Sequence, residues 1–444
     1  LWQDTGRGLQ AGGLTVRHYP TPDPEDPTDP DRRRFLKRSA SLAASLGAAA
    51  FALPLARGEQ VAAPEDPMRV PGAWPRPYGE RAPFEKQARL GRSGSGAHGW
   101  GANAADNNSS LTPLHELHGI ITPSSLHFER HHNGVPMIDP ARHRLMIHGL
   151  VERPLVFTVD ELERLPAVSR LAFLECSGNT GNGWGPARDL TVQQTHGLTS
   201  TSEWTGVKLS MLLDAVGVRR DATWMLAEGS DAAGLNRSVP LTDEVMREAM
   251  VCYGQNGEAL RPEQGYPLRL FLPGFEGNIN VKWLRRLKLG SAPFMTRWET
   301  SKYTDLMPDG KAQQFTLVME AKSVITSPSG QQRIAPGLHE IRGIAWSGRG
   351  TITKVEVSTD GGRRWNEARL HDPVLPKCHT RFSFIWRWNG REAVLQSRCV
   401  DETGYVQPSR QDLLRVRGPN ATYHYNAVQS WKVEEDGWVR NIHA

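Results

Sequence analysis

The stretch FLECSGNTGNGWGP, residues 173–186, decides how the first half of the chain is read. An apolar run broken abruptly by Ser, Gly, Asn and Thr is the pattern of a buried strand entering a tight loop. The thiol of Cys176 then stands at a strand end, where backbone amides converge. Such a place suits a metal ligand or a nucleophile. It equally suits a packed core thiol, because free cysteine is among the most buried residue types, and these residues alone leave both readings open.

Outward from this stretch the elements are mixed. HRLMIHGLV from His143 has strand composition, and TVDELERL opens a helix on a capping box, Thr158 to Glu161. KLSMLLDAV spaces its apolar residues helically up to Gly217, and Thr242 followed by Asp243 and Glu244 caps another helix. YPLRLFLPG from Tyr266 is a short strand leading into a glycine turn. Together these predict an α+β domain over residues 114–312. Beyond Gln313 the helical periodicity gives way to short β runs. TITKVEVSTDGGRRW from Thr351 runs into an Asp-Gly-Gly turn, and FSFIWRWNG ends on Asn389 and Gly390. They predict an all-β immunoglobulin-like sandwich over 313–420, with a tail, 421–444, whose Trp and Tyr residues pack back on a domain or meet another subunit. If Asn389 and Gly390 form a two-residue hairpin, Cys378 and Cys399 lie diagonally on one face, and a bulge would bring them to disulfide geometry.

A chain of 444 residues, 38% of them hydrophobic, can bury two or three cores. Its net charge is +5, and residues 1–60 hold eight basic and seven acidic side chains, so the remainder carries an excess of only four. That balance argues against a nucleic-acid surface. Residues 1–30, rich in Pro and Asp, read as an extension without a core. DRRRFLKRSASLAASLGAAAFALPLARG from Asp31 reads as a twin-arginine export signal over 31–58, with Arg32 and Arg33 as the pair and small residues around Ala50 and Ala52 for cleavage. As a membrane helix, residues 39–55 are short and only mildly apolar, and Pro54 interrupts their end. The expectation is a periplasmic protein with no membrane span once mature. Residues 59–113, rich in Pro, Gly, Ser and Asn, read as an extended arm or linker. The four cysteines, Cys176, Cys252, Cys378 and Cys399, form no CxxC, no CxxCH haem attachment and no zinc spacing. Any metal must therefore be held mostly by something other than protein thiolates, and no haem is expected on this chain.

Four segments carry more when taken together. SSLHFERHHNGVP contains Arg130, His131 and His132; FLECSGNTG contains Cys176; HGLTSTSEWTGVKL contains Thr199 and Ser200; YPLRLFLPGFEGNINVKWLRR contains Arg269 and Lys282. In order, spacing and residue type this set resembles the sulfite oxidase family of molybdenum enzymes from about Leu114 to Pro408, with the greatest likeness to sulfane dehydrogenase subunits. The tail YHYNAVQSWKV strengthens that likeness. The resemblance implies a molybdopterin cofactor, with Cys176 as the thiolate on molybdenum and with Arg130, His131, His132, Thr199, Ser200, Arg269 and Lys282 holding the pterin. Tyr303, in RWETSKYTD, matches the active-site tyrosine, and Arg130 joins it and Cys176 in the catalytic set. One soft sulfur is enough when a dithiolene supplies the others, and a cationic group suits the pterin's phosphate.

The resemblance further implies oxygen-atom transfer from water to carrier-bound sulfane sulfur. A sulfur-carrier protein would present the substrate, and a c-type cytochrome subunit would take the electrons. The sandwich would serve as a dimerisation domain, giving a homodimer of this chain within a heterotetramer. Four positions depart from the sulfite oxidase pattern. Thr180 and Gly181 follow Asn179 where Arg-Arg is usual, Gln264 replaces a histidine, and Lys302 stands where an aspartate is common before the tyrosine. The lost arginine leaves a less clamped pocket, which suits sulfur on another protein's flexible arm. Two other readings stay open: a stand-alone sulfite dehydrogenase of the same fold, and a cofactor-free periplasmic binding protein that uses the β domain as its surface.

Overall fold

The computed structural model describes residues 74, 76–92 and 109–444. The extension 1–30, the export signal 31–58 and much of the 59–113 arm lie outside the described residues. The chain divides into two units between Glu80 and Arg81. In the first, Arg76 pairs with Glu80 at 2.6 Å; the described strands all lie in the second.

Its strands, in chain order, are β1 (Leu90–Arg92), β2 (Ser109–Leu111), β3 (Glu129–Arg130), β4 (Arg144–Gly149), β5 (Leu155–Thr158), β6 (Ala167–Glu175), β7 (Thr199–Lys208), β8 (Trp224–Gly229), β9 (Asn236–Pro240), β10 (Met250–Gln255), β11 (Glu258–Ala259), β12 (Arg269–Phe271) and β13 (Leu284–Gly290). One sheet runs β11-β10-β7-β6 with β12 also on β10, and a second runs β5-β4-β13-β8-β9, in which only β13 and β4 are parallel. Leu145, Ile147, Val207, Met225, Val251, Leu270 and Leu287 fill the space between them, and the helix Leu209–Val216 buries Leu212 and Leu213 in the same core. That helix stops where expected, on Gly217 at φ 67°, a left-handed conformation that costs glycine little. The capping box of Thr158 and Glu161 is also present, as is the Thr242 cap.

The all-β expectation is met by β14 (Asp305–Leu306), β15 (Ala312–Gln313), β16 (Lys322–Ser327), β17 (Gly337–Trp346), β18 (Ile352–Ser358), β19 (Asn366–Glu367), β20 (Arg369–His371), β21 (Thr380–Trp388), β22 (Ala393–Asp401), β23 (Ser430–Val433) and β24 (Val439–Ile442). β14 and β15 pair only with each other, and the others form two facing sheets, β16-β17-β21-β20 and β19-β18-β22-β23-β24, around Val324, Ile341, Trp346, Val355, Leu395 and Trp431. The molecule is mostly sheet, an α+β domain followed by a β sandwich. Among the described residues no helix is long and apolar enough to cross a membrane.

Two expectations are corrected. The Asp-Gly-Gly turn does join a hairpin, with Val357 opposite Asn366, but Asn389 and Gly390 do not. Strands β21 and β22 belong to different sheets, so the chain crosses from one layer to the other there instead of folding back in register. Cys378 and Cys399 are accordingly free and buried. The Cys378 Sγ meets the Leu171 carbonyl at 3.2 Å, and Cys399 lies in the sandwich core.

The two parts share an apolar core as well as backbone bonds. Leu114, Phe173 and Val192 pack into the sandwich cluster. The outer edge of β6 is covered from the same side, where Phe173 N–H donates to the Lys377 carbonyl at 2.7 Å. The tail does wrap back: β23 and β24 extend the second sheet, and before them residues 423–425 reach the loop that follows β6.

Candidate active site

Strand β6 delivers Cys176 as the sequence predicts, one residue past its end, where the Cys176 amide donates to the Leu198 carbonyl at 3.0 Å. The loop 176–180 doubles back at once, with Asn179 N–H donating to the Cys176 carbonyl at 2.8 Å. The thiol opens on a pocket of about 600 Å³ that is also lined by Arg130, His131, His132, Arg269, Lys282, Tyr303, Asp231 and Asn278. Burial raises the thiol pKa against the pull of Arg130 and the Gly178 amide, and Glu175 and Glu276 push the same way as burial. Gly277 is required here: a Cβ would stand 2.9 Å from the Glu175 carbonyl oxygen and 3.2 Å from Cys176 Cα.

One wall is cationic. Arg269 is 1% exposed, donates to the carbonyls of Gln264 at 3.0 Å and Asn280 at 3.2 Å, and lies over the Trp204 ring. Lys282 Nζ donates to the carbonyls of Arg130 at 3.0 Å and Glu263 at 2.9 Å. Among the described residues neither forms an ion pair with a carboxylate, and the buried Arg269 Nε has no acceptor. Burial accordingly pulls Arg269 down to about 10, and burial with Arg269 nearby pulls Lys282 down to about 7.

Opposite stands Tyr303, at φ 50°, with its hydroxyl 2.8 Å from His132 Nε2. Burial and the charges of Arg130 and Lys282 push His132 down to about 2, so the imidazole is neutral, while burial raises the tyrosine hydroxyl. One proton is held between the two.

The structure thus brings together Arg130, His131, His132, Cys176, Arg269, Lys282 and Tyr303. It does not bring Thr199 and Ser200 to the pocket wall. Thr199 Oγ1 donates to the Leu174 carbonyl and meets His379 Nε2 at 3.0 Å, while Ser200 Oγ meets Thr112 Oγ1 at 2.6 Å and accepts from Phe128 N–H. Both sit on β7, paired to β6, and their hydroxyls are taken up by neighbouring segments. Of the departing positions, Gln264 donates to the Phe128 carbonyl at 2.8 Å, and Thr180 faces the protein interior, with Oγ1 2.5 Å from the Tyr425 carbonyl.

Sequence reasoning missed the buried charges behind the thiol. Glu175 is fully buried and accepts from Lys322 Nζ at 2.6 Å, Asn179 Nδ2 at 2.9 Å and Trp346 Nε1 at 2.7 Å. Glu276 accepts from Arg237 at 3.3 Å and meets His424 Nε2 at 3.2 Å. Burial opposes its charge, yet Arg237 and His424 hold its carboxyl below the usual range. Arg237 also reaches Asn278 and lies over the Tyr303 ring, against which Tyr423 packs from the tail. The signal was present: Glu175 interrupts an apolar run, and a carboxylate in a buried strand demands a partner.

These donors fit a phosphate-bearing pterin that carries its own metal. Buried cations without carboxylates are costly until an anion meets them, and Arg269 with Lys282 is such a pair. Among the described residues no group of three or more His, Cys, Asp or Glu could hold a metal ion, so a metal bound at Cys176 must bring most of its ligands with it. Arg130, His132, Arg269 and Lys282 are placed to hold the pterin's anionic end, and Cys176 offers the protein's one soft donor.

Comparison with known proteins agrees with this chemistry. Residues 132–298 match the oxidoreductase molybdopterin binding domain, and residues 313–431 match the Mo-co oxidoreductase dimerisation domain. Mitochondrial sulfite oxidase of Rattus norvegicus is 29% identical over 68% of this chain and 60% of its own length. The NADH nitrate reductase of Ulva prolifera is 31% identical over 61% of this chain and 34% of its own. The chain therefore spans only about a third to three-fifths of such relatives. The crystal structure of the sulfane dehydrogenase SoxCD from Paracoccus pantotrophus superposes with a TM-score of 0.77 at 45% identity, over 85% of this chain and 99% of that one. With both domain models matched and 45% identity over 99% of that solved chain, this chain belongs to the sulfite oxidase family of molybdopterin oxidoreductases.

Proposed function

We propose that this chain is the molybdenum-bearing subunit of a periplasmic sulfane dehydrogenase. One observation carries the reading: the 45% identity to the SoxCD sulfane dehydrogenase over 99% of that chain. The pocket supports it, because position 180 holds a threonine turned into the protein where the sulfite oxidase pattern has an arginine. When bound, the molybdenum cofactor supplies a two-electron redox centre that carries oxygen from water to sulfur. The net step on a carrier persulfide is R–S–SH + H2O → R–S–SOH + 2 H⁺ + 2 e⁻, with the electrons leaving to a c-type cytochrome partner.

The chain's own residues bind and orient. Arg130 and Lys282 hold negative charge at the pocket wall, and Cys176 fixes the metal's place. The Tyr303 hydroxyl and His132 Nε2 keep a proton at the pocket surface, available to sulfur oxygen as charge builds there. Matched dimerisation sequence supports a homodimer, and with the cytochrome subunit this makes a heterotetramer. The export signal at 31–58 supports the periplasmic location.

The purified chain, loaded with cofactor and mixed with cytochrome c, is to be assayed with a persulfide-loaded carrier protein and with free sulfite. Stoichiometric molybdenum and faster cytochrome reduction with the carrier are expected. Faster reduction with sulfite makes the protein a sulfite dehydrogenase, and absence of molybdenum leaves the cofactor-free binding protein.

A further inference from the structure

Glu175 immediately precedes Cys176, and Thr180 closes the loop that carries it. Both are gripped by one ammonium group from the other half of the molecule. Lys322 Nζ is 2.6 Å from Glu175 Oε1 and 3.1 Å from Thr180 Oγ1, and its side chain is 1% exposed. Lys322 is the first residue of β16, within the dimerisation segment 313–431, whereas the loop lies within the molybdopterin segment 132–298. Trp346, at the end of β17 and paired with Lys322 across the sheet, completes the grip by donating Nε1–H to Glu175 Oε2 at 2.7 Å. Thr180 adopts φ 62°, strained for a β-branched residue, and stays there with Oγ1 also against the Tyr425 carbonyl of the tail.

We propose that Lys322 is a positioning residue for the Cys176 thiol: it clamps both ends of the loop 176–180, so the sandwich sets the ligand's presentation to the cofactor. The inference rests on the reading of Cys176 as that ligand. A buried ammonium bonded to a carboxylate and a hydroxyl fixes two backbone positions, Glu175 and Thr180, more tightly than either bond alone. The intervening thiol has few conformations left, which is what a single protein ligand to a metal requires.

The test reads the thiol rather than turnover. Cofactor-free full-length protein, from a host that makes no molybdopterin, is treated with iodoacetamide at fixed pH, and each cysteine is followed by peptide mass spectrometry. Cys252, Cys378 and Cys399 are free and buried and report general loosening. Thr180→Val removes one arm of the clamp without burying a charge, and Lys322→Met with Glu175→Gln removes the ion pair as a neutral couple. In both variants Cys176 alkylation is expected to rise at least about fivefold, the scale of one lost hydrogen bond, with the three controls unchanged. In the cofactor-producing host their molybdenum content should fall. Lys322→Arg, which keeps the charge, should restore part of each.

Unchanged Cys176 alkylation in folded Thr180→Val overturns the clamp, as does an equal rise at all four thiols. If the double variant does not fold, Thr180→Val decides alone. A Cys176→Ser chain with full activity would instead remove the ligand reading, and the alkylation pattern distinguishes the two failures.

Discussion

Replacing Cys176 with serine exchanges a soft thiolate for a harder hydroxyl of much higher pKa at nearly constant volume. Turnover should collapse while the fold loses no more than about 1–2 kcal/mol, checked by urea unfolding beside cytochrome reduction. A merely packed thiol would give the opposite pattern. Lys282 offers a second check. Its ammonium, held at about 7 by burial and by Arg269, is about half protonated at neutral pH in cofactor-free protein, and an anion bound beside it raises its pKa. Binding then takes up a proton, so affinity is greatest below about 7 and falls as pH rises through that value. Calorimetry of inorganic phosphate on cofactor-free protein should show tighter binding at pH 6 than at pH 8, and Lys282→Met should flatten the difference. Cys176, Arg130, His132, Arg269 and Lys282 were legible because their neighbours in the chain carry the pattern. Lys322, Arg237 and His424 were not, since Lys322 and His424 reach the loop, and Arg237 reaches Glu276 and Asn278 beside it, across packing that no local pattern encodes.

Secondary structure was read best where a chemical punctuation mark ends it. The helix before Gly217 and the capped helices after Thr158 and Thr242 are where the caps place them. The element that failed was the turn at Asn389 and Gly390, because the same dipeptide that closes a hairpin also closes a crossing between layers. Gly390 has the positive φ of 82° expected of such a turn, and Arg391 N–H donates to Asn389 Oδ1 at 3.1 Å. Local geometry is thus right while the partner strand is wrong; β21 pairs with β17 and β20, and β22 with β18 and β23. Strand pairing is decided by which sheet buries which face, beyond the reach of the turn. Alkylation of the denatured, unreduced protein should therefore label all four cysteines, and a single missing pair by mass would restore the disulfide.

At the scale of the whole molecule, two interior histidines tie stability to pH. His127 and His379 are each held at about 3, burial being the main cause in both. Once unfolded they titrate near 6.5. Between those values the unfolded chain binds protons that the folded chain refuses, so stability is full above about 6.5 and declines as pH falls towards 3. Each contributes a slope of up to about 1.4 kcal/mol per pH unit. Urea midpoints at pH 7.5 and pH 5 should show the loss, and His379→Gln should make it shallower. Division into an α+β half and a β half was evident from the change in periodicity after Gln313. Their shared core was hidden, because Leu114, Phe173 and Val192 look like any other core residues of the first half. The bond from Phe173 N–H to the Lys377 carbonyl has a consequence of its own. Strand β6 ends its sheet, and an uncovered sheet edge is a template on which further chains can add. A catalytic half made without the sandwich would expose that edge beside the bare Phe173 ring, and would recruit copies of itself before any cofactor arrived. The second half is thus also the first half's protection against aggregation.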